Sequence, residues 1–263
     1  MTQVLGVGDF LAWQGGCLVI GHAYRATGLH VHYAMQLSFG VTDGIAFRAR
    51  ESEPWGAHGA AVIASRQPHM MDGSVVGTSA TMLLELETPV GRKLQEIFAR
   101  DGITSIEYAR IEHVAKVLFA TWEAHRDGEA TAAAARAAIR ALTGDTQPQL
   151  LSDERVIKAV AYINAKLSSP LSLRDIAGHA FLSPPRFRHV FVEQTGSTLR
   201  PYVLWRRFLR AWEVIRQGDA ISTAAHEAGF ADAAHRTRTS RRMFGFAPSA
   251  LLVGRQGWGA VTT

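Results

Sequence analysis

The sequence predicts an α+β protein of two domains, with a β-rich first half and an all-α second half. Three observations predict it. From residue 17 to residue 87, short apolar runs alternate with Gly, Asp and Pro, as strands and turns do. From residue 89 onward, apolar residues recur at helical spacing. The charge is also uneven, because residues 153–263 carry 16 Lys and Arg against 8 Asp and Glu, whereas residues 1–152 carry 12 against 15.

The first half contains five apolar runs of strand length at regular intervals. They are CLVIGHAY, HVHYAMQLSFGV, GIAFRAR, GAAVIAS and ATMLLELE. Their length and spacing predict a β-sandwich or small barrel over residues 1–88. Cys17, the single cysteine, lies in the first run and is predicted to be a core residue. One cysteine excludes an intrachain disulfide, which fits a cytoplasmic protein.

Residues 89–143 follow as a predicted helical segment. Ile111, Val114 and Leu118 form an apolar stripe at helical spacing, which we expect to make a homodimer interface. Residues 144–153 lack periodicity and contain Gly and Pro, so they are the predicted linker. No run of 18 apolar residues and no signal-like N-terminus occurs, so we expect neither membrane insertion nor export.

The basic second half, residues 154–253, repeats one pattern. DIAGHAFLSPPRFRHVFVEQTG (175–196) and STAAHEAGFADAAHRTRTSRRMFG (222–245) each contain a small-residue helix, a turn, a second helix and a closing glycine. Ser183 and Asp232 stand where each second helix begins, and both residue types are good helix caps. The pattern predicts two helix-turn-helix units. The net positive charge of this half favours a polyanionic partner over a merely solvated surface.

These residues resemble the DNA-binding domain of AraC/XylS-type transcription regulators. The resemblance covers residues 155–252 and includes AGFAD, the FGFAP close and the long helix between the two units, in the family's order. It implies that a recognition helix of each unit enters successive major grooves of double-stranded DNA. It also implies a cupin-like N-terminal barrel that binds a small effector, dimerisation by the adjoining helices, and RNA polymerase as a partner.

The resemblance also assigns DNA contacts residue by residue. In the first unit it places Pro185, Arg188 and His189 toward the bases, with Ser183 and Arg186 nearer the backbone. In the second unit the matching positions are Ala233, Ala234, Thr237 and Arg238, with His235, Arg241 and Arg242 at phosphates. Arginine suits both tasks, because it binds guanine edges in two places and also neutralises phosphates. A single arginine could equally be solvated, whereas the whole set favours DNA.

The second unit departs from the family pattern at two positions. Where the first unit has Phe187 and Phe191, which the family buries, the second has Arg236 and Ser240. Burying an unpaired arginine is costly. We therefore expect the second recognition helix to tilt or fray in its first half, with Arg236 turned outward, and the first unit to dominate sequence discrimination.

The N-terminal half contains a candidate ligand site. His30 and His32 alternate along one predicted strand and share a face, Gln36 follows, and His69 comes after a proline. In cupins, His-x-His followed by a carboxylate and a distant His holds a divalent metal; here Gln36 replaces the carboxylate. These residues, with Trp55 as a pocket wall, either hydrogen-bond an organic effector or one another inside the barrel, or hold a metal through His30, His32 and His69.

Two functions therefore compete. The first is an effector-controlled transcription regulator that requires no cofactor to bind DNA. The second is a metal-dependent cupin enzyme with an appended DNA-binding domain. No nucleophile triad, phosphate loop or carboxylate pair occurs at a convincing spacing, so the sequence favours the regulator and a protein that is not an enzyme.

Overall fold

A computed structural model describes residues 4–13, 15–98, 102–124, 128–144, 153–216, 219–230 and 232–253. Strands dominate the first half and helices the second, so the predicted α+β class is confirmed. None of the described helices combines the length and the apolar character needed to cross a membrane.

The strands form two sheets. In chain order they are β1 (Gly6–Trp13), β2 (Gly16–Ala23), β3 (Met35–Gly40), β4 (Ile45–Arg48), β5 (Gly56–His58), β6 (Ala60–Ile63), β7 (Met70–Asp72), β8 (Thr78–Leu84), β9 (Ile103–Ile106) and β10 (Leu251–Val253). The larger sheet has the order β10-β1-β2-β8-β3-β6-β9, and the smaller has the order β5-β4-β7. Ile45 and Phe47 of the small sheet pack against Ala61 and Ile63 of the large one, which makes a sandwich.

The helices follow the first eight strands, interrupted only by β9. They are α1 (Pro89–Ile97), α2 (Glu112–Ala124), α3 (Gly128–Thr143), α4 (Glu154–Ala165), α5 (Leu173–His179), α6 (Pro184–Thr195), α7 (Leu199–Arg216), α8 (Ile221–Glu227) and α9 (Ala233–Phe244). Sequence signals explain their ends: Thr88 caps α1 ahead of Pro89, and left-handed glycines at 196 and 245 close α6 and α9.

Two strands lie where the sequence predicted only helices. Strand β9 falls inside the segment 89–143, and β10 follows the last helix and pairs in parallel with β1, with Gly6 opposite Leu251. Each covers a sheet edge that would otherwise expose unpaired backbone groups. The large sheet therefore draws on three separate parts of the chain.

The predicted linker lies mostly outside the described residues, which omit 145–152. Its last residue, Asp153, instead belongs to the helical region, because its side chain accepts a hydrogen bond from the Arg155 amide and caps α4.

The apolar stripe of α2 faces inward. Ile111 and Leu118 are fully buried in the main core, with Val114 packed against it, and the neighbouring Phe119 meets Phe39 of β3 edge to face at 6.0 Å between ring centroids. The prediction that this stripe forms a dimer interface is therefore wrong, because the core of the same chain already covers Ile111 and Leu118.

One core joins the two halves. Phe10 of β1 stacks on Trp212 of α7 with ring centroids 5.3 Å apart, and the main cluster runs from the sheet into the C-terminal helices. Cys17 is fully buried in it, as predicted. The C-terminal units are thus packed on the sandwich, which places their recognition helices at fixed positions relative to it.

Candidate DNA-binding surface and ligand cavity

The first helix-turn-helix unit consists of α5 and α6. The Ser172 side chain accepts a hydrogen bond from the Asp175 amide and caps α5, and Pro184 occupies the first turn of α6. Phe187 and Phe191 are buried, with ring centroids 5.2 Å apart, so they anchor α6 by its inner face. This is the packing expected from the sequence.

The outer face of α6 is open. The residues predicted there to contact DNA are all exposed: Ser183, Pro185, Arg186, Arg188 and His189. Within the described residues, neither Arg186 nor Arg188 forms an ion pair. Their guanidinium groups are therefore available to an external anion.

The second unit consists of α8 and α9. Asp232 caps α9 by accepting a hydrogen bond from the His235 amide. Ala234, Arg238, Arg241 and Arg242 are exposed, and His235 and Thr237 are half-buried. The helix is regular over Ala233–Phe244, so the expected fraying of its first half is not observed.

Arg236 points inward, and the prediction that it turns outward is wrong. Its side chain is 2% exposed, and its Nε lacks a hydrogen-bond partner within the described chain. Burial lowers the pKa of Arg236 from its usual range. Ser240 is also fully buried, and its hydroxyl donates to the Phe246 carbonyl at 2.8 Å.

The register of α9 explains this burial. Positions 236, 239, 240, 243 and 244 form one helical stripe, and all five are buried. Phe244 fixes that stripe, because it stacks on Phe208 of α7 with ring centroids 3.9 Å apart. With the cap at Asp232 holding the other end, turning Arg236 outward would expose Met243 and Phe244.

A cavity of about 90 Å³ lies between the large sheet and the end of α9. Its walls come mostly from β1, β2 and β8, and they include glycines 6, 8 and 21, where a Cβ would collide with the backbone of the neighbouring strand. Phe244 and Phe246 close it on the side of the second unit. The polar residues in its lining include Arg25, Thr27, His30 and Gln36.

Three buried histidines cluster at this cavity, and His30 is part of its lining. Their potential metal-binding atoms, one from each of His30, His32 and His69, lie within 4.8 Å of one another. The ring centroids of His30 and His69 are 4.2 Å apart. Burial lowers the pKa of all three, that of His30 to about 3, so the imidazoles are neutral near pH 7. The sequence thus correctly grouped three side chains from two separate segments.

The Nδ1 atom of each ring faces a backbone carbonyl. His30 Nδ1 lies 2.9 Å from the Gly28 oxygen, His32 Nδ1 2.8 Å from the Ala34 oxygen, and His69 Nδ1 2.9 Å from the Gln67 oxygen. A carbonyl only accepts hydrogen bonds, so each Nδ1 carries the proton. Each Nε2 therefore presents its lone pair.

The histidine segment is bound directly to the second unit. The Gly28 amide donates to the Gly245 carbonyl at 2.9 Å, and the Val31 amide donates to the Arg242 carbonyl at 3.0 Å. Close approach requires glycine here, since a Cβ on Gly245 would lie 2.3 Å from the Gly28 oxygen. Movement of residues 28–31 would therefore move the end of α9.

A buried polar network joins the sandwich to the first unit and to α7. Glu85 accepts hydrogen bonds from Trp205 Nε1 at 2.9 Å and from Arg206 at 2.7 Å. The Tyr33 hydroxyl lies within hydrogen-bond distance of both the Glu87 carboxyl and the Thr195 carbonyl oxygen at the end of α6. One hydroxyl proton cannot serve two acceptors, so a protonated Glu87 must supply a second. Burial, with the nearby charge of Glu85, raises the pKa of Glu87 to about 7.

The structure also separates some residues that the sequence grouped. Trp55 does not line the cavity; it is 37% exposed and stacks under the Arg48 guanidinium at 4.5 Å. His32 and His69 lie behind the cavity wall, whereas His30 and Gln36 reach it. Sequence reasoning missed Glu85 and Glu87, although two carboxylates in the apolar run ATMLLELE are an unusual feature that could have marked them.

Comparison with known proteins agrees with this geometry. A family model described as a helix-turn-helix domain matches residues 176–252. The regulatory protein PocR of Salmonella typhimurium is 31% identical over 99 residues, which are 37% of this chain and 33% of PocR. The chain therefore spans about a third of the length of the curated relatives it matches.

Solved structures extend the likeness in fold to about 90% of the chain. An apo variant of ToxT from Vibrio cholerae matches with a TM-score of 0.58 at 9% identity, covering 91% of this chain and 97% of ToxT. Wild-type ToxT with a bound unsaturated fatty acid matches with a TM-score of 0.53 at 11% identity, covering 90% and 94%. The sandwich and the two helix-turn-helix units thus form a known arrangement, and residues 176–252 of this chain are similar to the helix-turn-helix domain family.

Proposed function

We propose that the protein is a sequence-specific DNA-binding transcription regulator whose DNA affinity is set by a small ligand in the cavity. The observation that carries the proposal is the position of that cavity, which is closed by Phe244 and Phe246 of the second DNA-binding unit. A ligand there contacts the DNA-binding unit itself. Matched relatives are regulatory proteins, which supports a regulator rather than an enzyme.

The proposed DNA contacts are the exposed residues of α6 together with those of α9. Arg188 is the proposed base-reading arginine of the first unit, and Arg238 is its counterpart in the second. Double-stranded DNA and RNA polymerase are the proposed macromolecular partners, and a homodimer through a surface other than Ile111 and Leu118 is the proposed assembly. The proposed location is the cytoplasm, where a regulator has access to both DNA and polymerase.

The proposed ligand is a small, mostly apolar molecule with one polar or acidic group. Apolar walls and a few polar side chains support this class, and ToxT, which has a similar fold, was solved with an unsaturated fatty acid. The cavity is smaller than the roughly 300–1,000 Å³ of typical ligand sites. A ligand larger than a few atoms must therefore displace Phe246 or the end of α9, which is how it would change the second unit.

The DNA test compares Arg188→Ala and Arg238→Ala against wild type on a footprinted genomic site. Arg188→Ala is expected to weaken binding by about 1–3 kcal/mol and to relax preference at one base pair. Affinity of all three proteins should fall steeply with salt, because the domain displaces counterions from phosphates. An unchanged base preference with a shallower salt slope would reassign Arg188 to the backbone.

The ligand test fills the cavity. Val7→Phe places an aromatic ring in its wall and is expected to abolish the thermal stabilisation that a medium-chain fatty acid gives wild type. Val75→Phe, at an exposed position outside the cavity, is the matched control and should keep the response. Equal stabilisation of both variants would locate ligand binding elsewhere.

A further inference from the structure

We propose that His30, His32 and His69 bind one divalent transition-metal ion, with Gln36 as a fourth ligand. The three imidazoles are buried, and one nitrogen of each lies within 4.8 Å of the others. Metal binding here is separate from the proposed DNA contacts and does not require a ligand in the cavity.

The protonation pattern makes the cluster suitable for a metal. Because each Nδ1 donates to a carbonyl, each Nε2 is left with a lone pair. A carbonyl partner on the opposite ring nitrogen is the usual support of a metal-binding histidine, since it fixes both the tautomer and the ring orientation. The three rings, on segments 28–32 and 67–69, therefore have their tautomers and orientations set before any ion binds, and an ion would draw their nitrogens closer together.

Gln36 is the second observation that points to a ligand. Its Oε1 lies 2.8 Å from His32 Nε2 and 3.1 Å from His69 Nε2, so three lone-pair-bearing atoms face one another. A cation bound among these atoms would remove the repulsion between their lone pairs, and Oε1 would coordinate it. Turning the amide by half a rotation instead lets its NH₂ donate to both rings, while Oε1 accepts from the Ser38 hydroxyl. The Gln36 amide therefore has one orientation that suits the site with an ion bound and another that suits the site without an ion.

The donor set selects the class of ion. Three imidazole nitrogens and an amide oxygen suit Zn²⁺, Co²⁺, Ni²⁺ or Cu²⁺, whereas Mg²⁺ and Ca²⁺ prefer sites made of oxygen ligands. Four donors also match the usual coordination number of Zn²⁺. Because the four donors are neutral, the bound ion keeps its full charge in a buried site, which favours reversible rather than permanent occupancy.

The histidine cluster is connected to the second DNA-binding unit by backbone hydrogen bonds. His30 lies between Gly28 and Val31, whose amides bond the carbonyls of Gly245 and Arg242, and the His32 ring lies 6.5 Å from that of Phe244. Drawing the three rings onto an ion would pull on this segment and on the end of α9. Metal occupancy is therefore expected to change DNA affinity.

The experiment uses the full chain, purified without a polyhistidine tag or chelator. Elemental analysis and titration with Co²⁺ alone are expected to give about one ion per chain, with visible absorption bands from the bound Co²⁺ that Zn²⁺ removes. The double variant His30→Ala with His32→Ala should lose these bands. His113→Ala, which removes an exposed histidine on α2, is the matched control and should keep them.

A second variant tests the site if the double variant does not fold. Gln36→Glu restores a charged oxygen ligand and is expected to bind Co²⁺ at least about tenfold more tightly, a typical size for changes around a metal ligand. Unchanged affinity in Gln36→Glu would exclude Gln36 as a ligand. Less than about a tenth of an ion per wild-type chain, with no Co²⁺ bands, would overturn the site. Bands retained in the double variant would do the same.

DNA binding measured on the same preparations separates this inference from the proposed function. A chain that binds DNA but no metal fails only the metal site. A chain that binds Co²⁺ but no specific DNA fails only the proposed function.

Discussion

The two helix-turn-helix units differ in what holds them. In the first, Phe187 and Phe191 anchor α6 in the main core, and its outer face is open. In the second, α8 packs on α7 through a small cluster of Ala211, Val214, Ala224, Ala225, Ala228 and Phe230, while the inner face of α9 carries Arg236 and Ser240. The first unit thus has two aromatic residues on the inner face of its second helix, whereas the second unit has Arg236 and Ser240 there and its aromatic anchor, Phe244, at the end of the helix.

The units also differ in how they attach to the sandwich. The first is joined through the Tyr33, Glu87 and Thr195 network, whereas the second is joined by backbone hydrogen bonds to Gly28 and Val31 and by Phe244 at the cavity. Under the proposed function, the contact with the cavity makes the second unit the one that a ligand would change, and the first unit the one that would supply constant DNA readout.

Breaking the aromatic anchor is expected to have the largest effect. Phe187→Ala should lower the free energy of unfolding by about 3–5 kcal/mol, because the ring is fully buried. Ser240→Ala, at a buried position of the second unit, should cost about 1 kcal/mol through its lost hydrogen bond to Phe246. Denaturant titration of both variants measures the difference, and equal losses would contradict the contrast between the two cores.

The attachment of the first unit is expected to depend on pH. The pKa of Glu87 is raised from 4.5 to about 7, so its contribution to stability is complete below pH 4.5 and is lost as pH rises through about 7. The Gln side chain in Glu87→Gln resembles the protonated carboxyl but cannot ionise, so this variant should not lose stability as the pH rises. At pH 8 it should therefore be more stable than wild type, by up to about 3 kcal/mol.

The measurement is the unfolding free energy of both proteins between pH 5 and pH 8. Glu193→Gln, at an exposed carboxyl on α6, is the control and should follow wild type. A stability difference between wild type and Glu87→Gln that stays constant with pH would show that Glu87 is charged in the folded protein.

Relieving the buried charge of the second unit is expected to have a smaller effect. Arg236→Met keeps the long side chain and removes the unpaired guanidinium, so it should stabilise the protein by about 1–3 kcal/mol. Arg238→Met, two residues further along α9 and on its exposed face, should leave stability nearly unchanged. Destabilisation by Arg236→Met would mean that the guanidinium is stabilised where it lies.

The structure also changes what can be expected of larger substitutions. Replacing both Arg236 and Ser240 by Phe to copy the first unit would overpack α9, because Ser240 is completely buried and hydrogen-bonded. The second unit is packed in a geometry of its own, around Phe244 and Phe208.

Sequence patterns determined the features that depend on local spacing. Caps, turns and apolar periodicity identified both helix-turn-helix units, including the helix starts after Ser183 and Asp232. Period-two alternation placed His30 and His32 together, and these two did meet His69. Each of these features follows from the backbone geometry of a few neighbouring residues, which a single sequence records directly.

Tertiary structure alone decided the features that depend on which faces meet. The stripe of Ile111, Val114 and Leu118 was correctly predicted from its helical spacing, but only packing showed that the core of the same chain covers it rather than a second chain. Trp55 is of a residue type that often lines pockets, yet it lies on the surface. Arg236 is buried because Phe244, eight residues later, fixes the register of α9 against α7. Long-range packing overrides the local preference of a charged side chain for water, because the whole helix must bury its larger apolar residues at once.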